Sequence, residues 1–147
     1  MASKAAAIVA LVLGVMLSGC HHALTAAPAP AIQRSPSEKE SRTPAQQKIN
    51  TRLLYELYRV RGEAKQKQVP PGPTGVKIDA AGRALVDVRA EVTPALEKKI
   101  GTLGGTIQST SREYRSIVAW IPLKKLERLA EDPAVHSIMP AAEAIHR

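Results

Sequence analysis

Between Ala84 and Met139 the apolar residues change spacing from two to about 3.6 and back, twice over. No other feature of the chain narrows its fold so far. Val86, Val88 and Ala90 alternate with Asp87 and Arg89, as in a strand with one buried face. Thr93-Pro94 then caps a helix whose inner side carries Leu96, Ile100 and Leu103, and Gly104-Gly105 ends it. Thr106–Ser109 and Ser116–Ile121 read as a strand pair, with Ile117, Ala119 and Ile121 alternating against Val118 and Trp120. Pro122 opens a second helix with Leu123, Leu126, Leu129 and Ala130; Asp132-Pro133 stops it, and Val135–Met139 is a last strand. Upstream, Val76–Asp79 reads as a short strand joined to Ala84–Ala90 across the turn Ala80-Ala81-Gly82-Arg83.

From Ala84 the order is therefore β-α-β-β-α-β. This predicts an α+β fold of ferredoxin-like type, a four-stranded antiparallel sheet with two helices on one face, over residues 76–144. Without phenylalanine, and with Trp120 the single tryptophan, the core has to be aliphatic. One cysteine excludes an intramolecular disulfide. At 147 residues the chain accommodates one modest domain plus tails.

An additional helix precedes this domain, in the segment 44–68. Thr43 is its expected N-cap, Pro44 its first residue and Gln46 its third. Ile49, Leu53, Leu57 and Val60 fall on one face, widened by Leu54 and Tyr58, and the helix is expected to run from Pro44 to about Lys67. Its stripe has to pack on its own domain or on a partner. Pro70, Pro71, Gly72 and Pro73 close it.

The first 19 residues read as an address. Lys4 precedes an uncharged apolar run from Ala5 to Leu17, too short for the roughly 20 residues of a spanning helix and suited to a secretory signal. The run ends in Leu17-Ser18-Gly19-Cys20, which resembles the bacterial lipobox. The resemblance implies signal-peptidase recognition of Leu17, Ser18 and Gly19, then cleavage before Cys20 and lipidation of its thiol, with palmitate among the acyl groups. The protein would then be a membrane-anchored envelope lipoprotein, its partner the lipid bilayer. The next residue is His21, not Asp, which by the same resemblance implies the outer membrane in a double-membraned cell and otherwise the outer face of the cell membrane. Residues 20–43, rich in Pro, Ala, Ser and charge, read as a disordered linker.

The segment from Val76 to Ala144 resembles the propeptide and peptidase-inhibitor superfamily of the subtilases. The likeness rests on Val86-Asp87-Val88-Arg89-Ala90-Glu91-Val92-Thr93, Leu103-Gly104-Gly105-Thr106-Ile107 and Tyr114-Arg115-Ser116-Ile117-Val118-Ala119-Trp120-Ile121-Pro122-Leu123. It continues through Leu126-Glu127-Arg128-Leu129-Ala130 and Pro133-Ala134-Val135, and covers about half the chain. The helix around Leu53-Leu54-Tyr55-Glu56-Leu57 also looks like the one preceding such domains. The resemblance implies a sheet that docks on a subtilisin-type protease, inhibiting or chaperoning it, with the segment after the last strand entering the cleft. Here that protease-contacting tail would include Ala144, Ile145, His146 and Arg147. A stand-alone inhibitor, a propeptide reused as a binding module and a truncated precursor all fit a sequence in which no protease domain follows. The alternative is a lipoprotein adaptor that binds another envelope protein through the sheet or the Pro44–Lys67 helix, with no protease-inhibiting activity.

Catalytic and cofactor chemistry finds little support. His21 and His22 fall in the linker and His146 near the chain end, while His136 falls in a strand, where a partly buried structural role is expected. Ser109, Ser111 and Ser116 lack a nucleophile elbow. Asp79, Asp87 and Asp132 lack metal-ligand spacing. The expectation is a protein that is not an enzyme and has no cofactor or metal. The net charge of +8 is scattered, without interleaved aromatic side chains, so no nucleic-acid partner is expected. Cys20→Ala should abolish incorporation of labelled palmitate and release the protein from membranes. An alanine variant that still sediments with membranes and carries label would refute the lipid anchor.

Overall fold

In the computed structural model, which describes residues 38–141, local capping chemistry sets where the first three helices begin. Thr43 accepts a hydrogen bond from the Gln46 N–H at 3.2 Å, and Gln46 Oε1 accepts one from the Thr43 N–H at 3.1 Å. This capping box, with Pro44 in the first turn, starts α1 (Pro44–Gln47) as the sequence predicts. The helix then stops. Lys48 keeps a helical conformation as its C-cap, Ile49 is buried in a bridge to the sheet, and Asn50 caps α2 (Thr51–Arg61) by accepting from the Arg52 N–H. Gly62, at φ +76°, ends α2 in the left-handed conformation.

The single helix expected from Pro44 to Lys67 is therefore two. The break occurs because Ile49 pairs with the sheet: the Asn50 N–H donates to the Ile138 carbonyl at 2.9 Å, and the Ile138 N–H to that of Lys48 at 2.8 Å. The end falls at Gly62, and residues 64–68 form turns. Leu53, Leu54, Leu57 and Tyr58 are buried in the domain's own core, whereas Val60, expected on the same stripe, is half exposed.

The remaining elements are β1 (Arg83–Ala90), α3 (Pro94–Thr102), β2 (Thr106–Ser111), β3 (Ser116–Pro122), a 3₁₀ turn at Leu123–Lys125, α4 (Leu126–Ala130) and β4 (Val135–Pro140). Together they make an α+β fold with one four-stranded antiparallel sheet in the order β2-β3-β1-β4. Thr93 caps α3 by accepting from the Leu96 N–H. After it Gly104 takes φ +85°, and Gly105 lets the backbone close: a Cβ there would lie 2.8 Å from the Ile100 side chain.

Four other expectations change. Val76–Asp79 does not form a strand; Ile78 makes one bridge to Ala84, and Asp79 instead organises a turn by accepting from the Ala81 and Arg83 N–H groups. β2 runs on to Ser111, past the expected Ser109, with a bulge between Ile107 and Ser109. The second helix begins as the 3₁₀ turn and contributes only α4, so its apolar residues sit over a tighter first turn. At the other end of the chain, Glu38–Ser41 form turns where linker was expected up to residue 43.

One layer of aliphatic side chains joins sheet and helices. Ala84, Val86, Val88 and Ala90 of β1, Ile117, Ala119 and Ile121 of β3, and Val135 and Ile138 of β4 meet Leu53, Leu57, Leu96, Ile100, Leu126 and Leu129 from the helices. Glu127 ties the outer side of this layer: it accepts from Gln46 at 2.7 Å and pairs with Arg61, linking α4 to α1 and α2. Ile117→Asp would bury an unpaired carboxylate in this layer. The expected cost is on the order of 4 kcal/mol, enough to remove the cooperative thermal transition followed by Trp120 emission. A variant that still melts cooperatively near the wild-type temperature would place Ile117 on the opposite face.

Candidate interaction face

Alternation along each strand leaves a second set of side chains on the face of the sheet away from the helices. The register puts Leu85 opposite Trp120 and Asp87 opposite Val118 and Met139. Arg89 lies opposite Ser116 and Ser137, and Thr106 opposite Trp120. Leu85, Val118 and Trp120 are partly buried by one another's rows, and Met139 is 41 % exposed. Large apolar groups on the uncovered side of a sheet are the unusual part of this surface.

A polar group closes each end of the strip. At one, the Ser116 hydroxyl donates to Asp87 Oδ1 at 2.6 Å, and Arg89 pairs with Asp87 Oδ2 at 2.9 Å while also donating to the Tyr114 carbonyl at 3.3 Å. At the other, Arg83 pairs with Asp79 at 2.7 Å and donates to the Thr106 hydroxyl at 3.0 Å. The result is a small apolar patch in which Asp87 stands between Val118 and Met139, with an aspartate-held arginine towards each end. Held guanidiniums present planar donors to a partner with little conformational loss. Nothing in the strip is arranged as nucleophile and base.

The sequence signalled this face only through Val118 and Trp120, which occupy the phase where an amphipathic strand carries polar residues. Leu85 and Met139 obey the same rule in β1 and β4 and went unrecognised. His136, expected to be partly buried, is exposed, with Nε2 3.8 Å from Glu91, which also meets Arg115 at 3.2 Å. Among the described residues no group of three or more His, Cys, Asp or Glu is placed to hold a metal, and no helix is long and apolar enough to cross a membrane. Leu17, Ser18, Gly19 and Cys20, and the tail residues Ala144, Ile145, His146 and Arg147, lie outside the described residues.

A second cluster fixes the point where the N-terminal segment joins the domain. Glu38 accepts from Arg42 Nε at 2.8 Å, from a second Arg42 nitrogen at 2.7 Å and from the Tyr58 hydroxyl at 3.2 Å, and Arg42 also donates to Thr51. The Lys67 ammonium stands 5.7 Å from the Tyr58 ring centre. The Arg42 hydrogen bonds hold the Glu38 carboxyl below its ordinary range, against the opposing effect of burial. Burial, followed by the charge of Glu38, pushes the Tyr58 phenol up to about 12.

The two shifts predict opposite pH limits. Tyr58 binds its proton more tightly when folded, so its contribution is complete below the ordinary phenol value and is lost as pH rises towards about 12. Glu38 releases its proton more readily when folded, so its contribution is present above the ordinary carboxylate value and is lost as pH falls through the lowered one. In an ultraviolet titration one of the three tyrosines should ionise late, and that late step should vanish in Tyr58→Phe. A Tyr58 phenol that ionises at the ordinary phenol value would contradict the cluster.

No protein-family model, curated protein or solved structure matches the chain.

Proposed function

We propose that the protein is an envelope-anchored lipoprotein, acylated on Cys20, whose ferredoxin-like, propeptide-like domain binds a protein partner and performs no catalysis itself. The partner proposed is a subtilisin-type serine protease, inhibited or chaperoned through the uncovered face of the sheet. The observation that carries the reading is the apolar strip of Leu85, Val118, Trp120 and Met139 on a sheet face that no helix covers. A rigid sheet offering such a strip between two held arginines has the make-up of a binding surface: an aromatic and aliphatic centre with a polar rim.

The path of the chain after β4 supports the same reading. The Ala141 N–H donates to the Leu85 carbonyl at 3.1 Å, so the backbone is still extended beside β1 at the last described residue. In the adaptor alternative, docking by the α2 stripe is disfavoured, because Leu53, Leu54, Leu57 and Tyr58 are already buried within the domain.

The test is a panel of subtilases hydrolysing a chromogenic peptide in the presence of the domain. Competitive inhibition is expected. Trp120→Ala should weaken it by about 30-fold or more, as loss of a central aromatic anchor does, and deletion of Ala141–Arg147 should weaken it while leaving residual affinity. If micromolar domain slows none of the enzymes, the protease reading fails and an adaptor using the same face replaces it.

A further inference from the structure

Two adjoining depressions at the β1 N-terminal end of the domain share one side chain. The first is a groove of about 530 Å³, bounded by Val60, Ile78, Ala80, Ala81 and Pro122, with Lys124 and Lys125 on its rim. The second, about 340 Å³, is lined by Lys99, Thr102, Leu103, Lys125 and Arg128. Lys125 is thus the ridge between an apolar groove and a cationic cleft. Val60 is 50 % exposed and Ile78 38 % exposed, so two of the domain's uncovered aliphatic side chains open into the same groove.

The charges beside them are unspent. Lys99 pairs with Asp132, but Lys124, Lys125 and Arg128 are exposed and make no side-chain hydrogen bond or ion pair among the described residues. No carboxylate lines either depression. Uncovered aliphatic groups flanked by free cations match a surface that is apolar just below a layer of negative charge.

We infer that this end of the domain, with Val60 and Ile78 entering and Lys124, Lys125 and Arg128 on the rim, rests on an anionic lipid surface. The long stems of the lysines let their ammonium groups reach phosphates while the aliphatic pair enters the headgroup boundary. Reach is no obstacle: residues 21–37 would span at most roughly 60 Å if extended, an argument that rests on acylation of Cys20. The contact would leave the sheet's uncovered face available for a protein partner.

Residues 35–147 form one compact unit that carries the whole core, so vesicle sedimentation can be done with that segment alone. It should sediment with vesicles of phosphatidylglycerol mixed into phosphatidylcholine, and stay in solution with phosphatidylcholine only. Lys125→Gln should weaken binding about fivefold. The pair Val60→Ser and Ile78→Ser should weaken it at least about threefold, each variant first being shown by thermal melting to be folded. Arg112→Gln, which removes a charge from the β2–β3 turn at the other end of the strands, should leave binding within about twofold. An equal loss from Arg112→Gln would mean diffuse charge attraction, and no loss from the serine pair would mean adsorption without seating; either overturns the inference, as does no binding to the anionic vesicles. A domain that ignores vesicles but dimerises until the serine pair is introduced would assign the groove to a second copy. Because this segment lacks Cys20, failure here is separable from failure of the lipoprotein reading, which palmitate labelling of the full chain reports.

Discussion

The folded part depends on a division of size across one aliphatic layer. β1 is flanked by β3 and β4, and its inward side chains are small: Ala84, Val86, Val88 and Ala90. The helices supply the bulk, with Leu53, Leu57, Leu96, Ile100, Leu126 and Leu129. Small groups on the central strand let the helices approach, and long ones on the helices fill the space between. A chain without phenylalanine can close a core this way, because branched aliphatic side chains pack densely without rings. The buried Tyr58 comes closest to an exception, and its hydroxyl needs the Glu38 carboxylate as a partner at the edge of the layer.

How much of this was legible depended on whether the signal was local. Thr43 and Thr93 cap helices because a hydroxyl placed before a turn satisfies a free N–H, and both caps form as their neighbours predict. The alternations in β1 and β3 were equally plain, since each strand buries one face only. The break at Lys48–Asn50 was hidden because Ile49, Leu53 and Leu57 keep helical spacing across it. What separates α1 from α2 is a hydrogen-bonded partner 89 positions away, Ile138, which no local pattern reports. Gly62 was a readable stop, two residues beyond Val60, the last apolar position of the stripe. In β2 the run Thr-Ile-Gln-Ser-Thr-Ser has too few apolar residues to alternate, so its length was set by pairing with β3.

The two surfaces proposed for binding were the least legible part. The side chains that would dock are apolar residues in polar phase, and a sequence offers no way to separate them from incidental surface hydrophobes until strand order brings Leu85, Val118, Trp120 and Met139 to one face. The groove at Val60 and Ile78 was concealed differently. Val60 fitted the helical stripe expected to pack on the domain or on a partner, yet α2 turns it past the edge of the layer, towards Pro122 and Lys124. Both surfaces thus arise where a residue departs from the pattern that its neighbours obey.

The bridge between Ile49 and Ile138 also bears on the order in which the protein can fold. It joins residues 89 positions apart, and β1 likewise needs β4 along Val86–Ala90 of one edge. A chain delivered with its N-terminus leading, from a ribosome or through a membrane pore, presents α2 and β1 well before β4 exists. Until then the central strand has an open side, and the kink at Lys48–Asn50 has nothing to hold it. Long-range pairing of this kind slows folding. It also makes completion of the sheet wait for β4, with the half-built sheet exposed in the meantime to whatever extended segment is nearby.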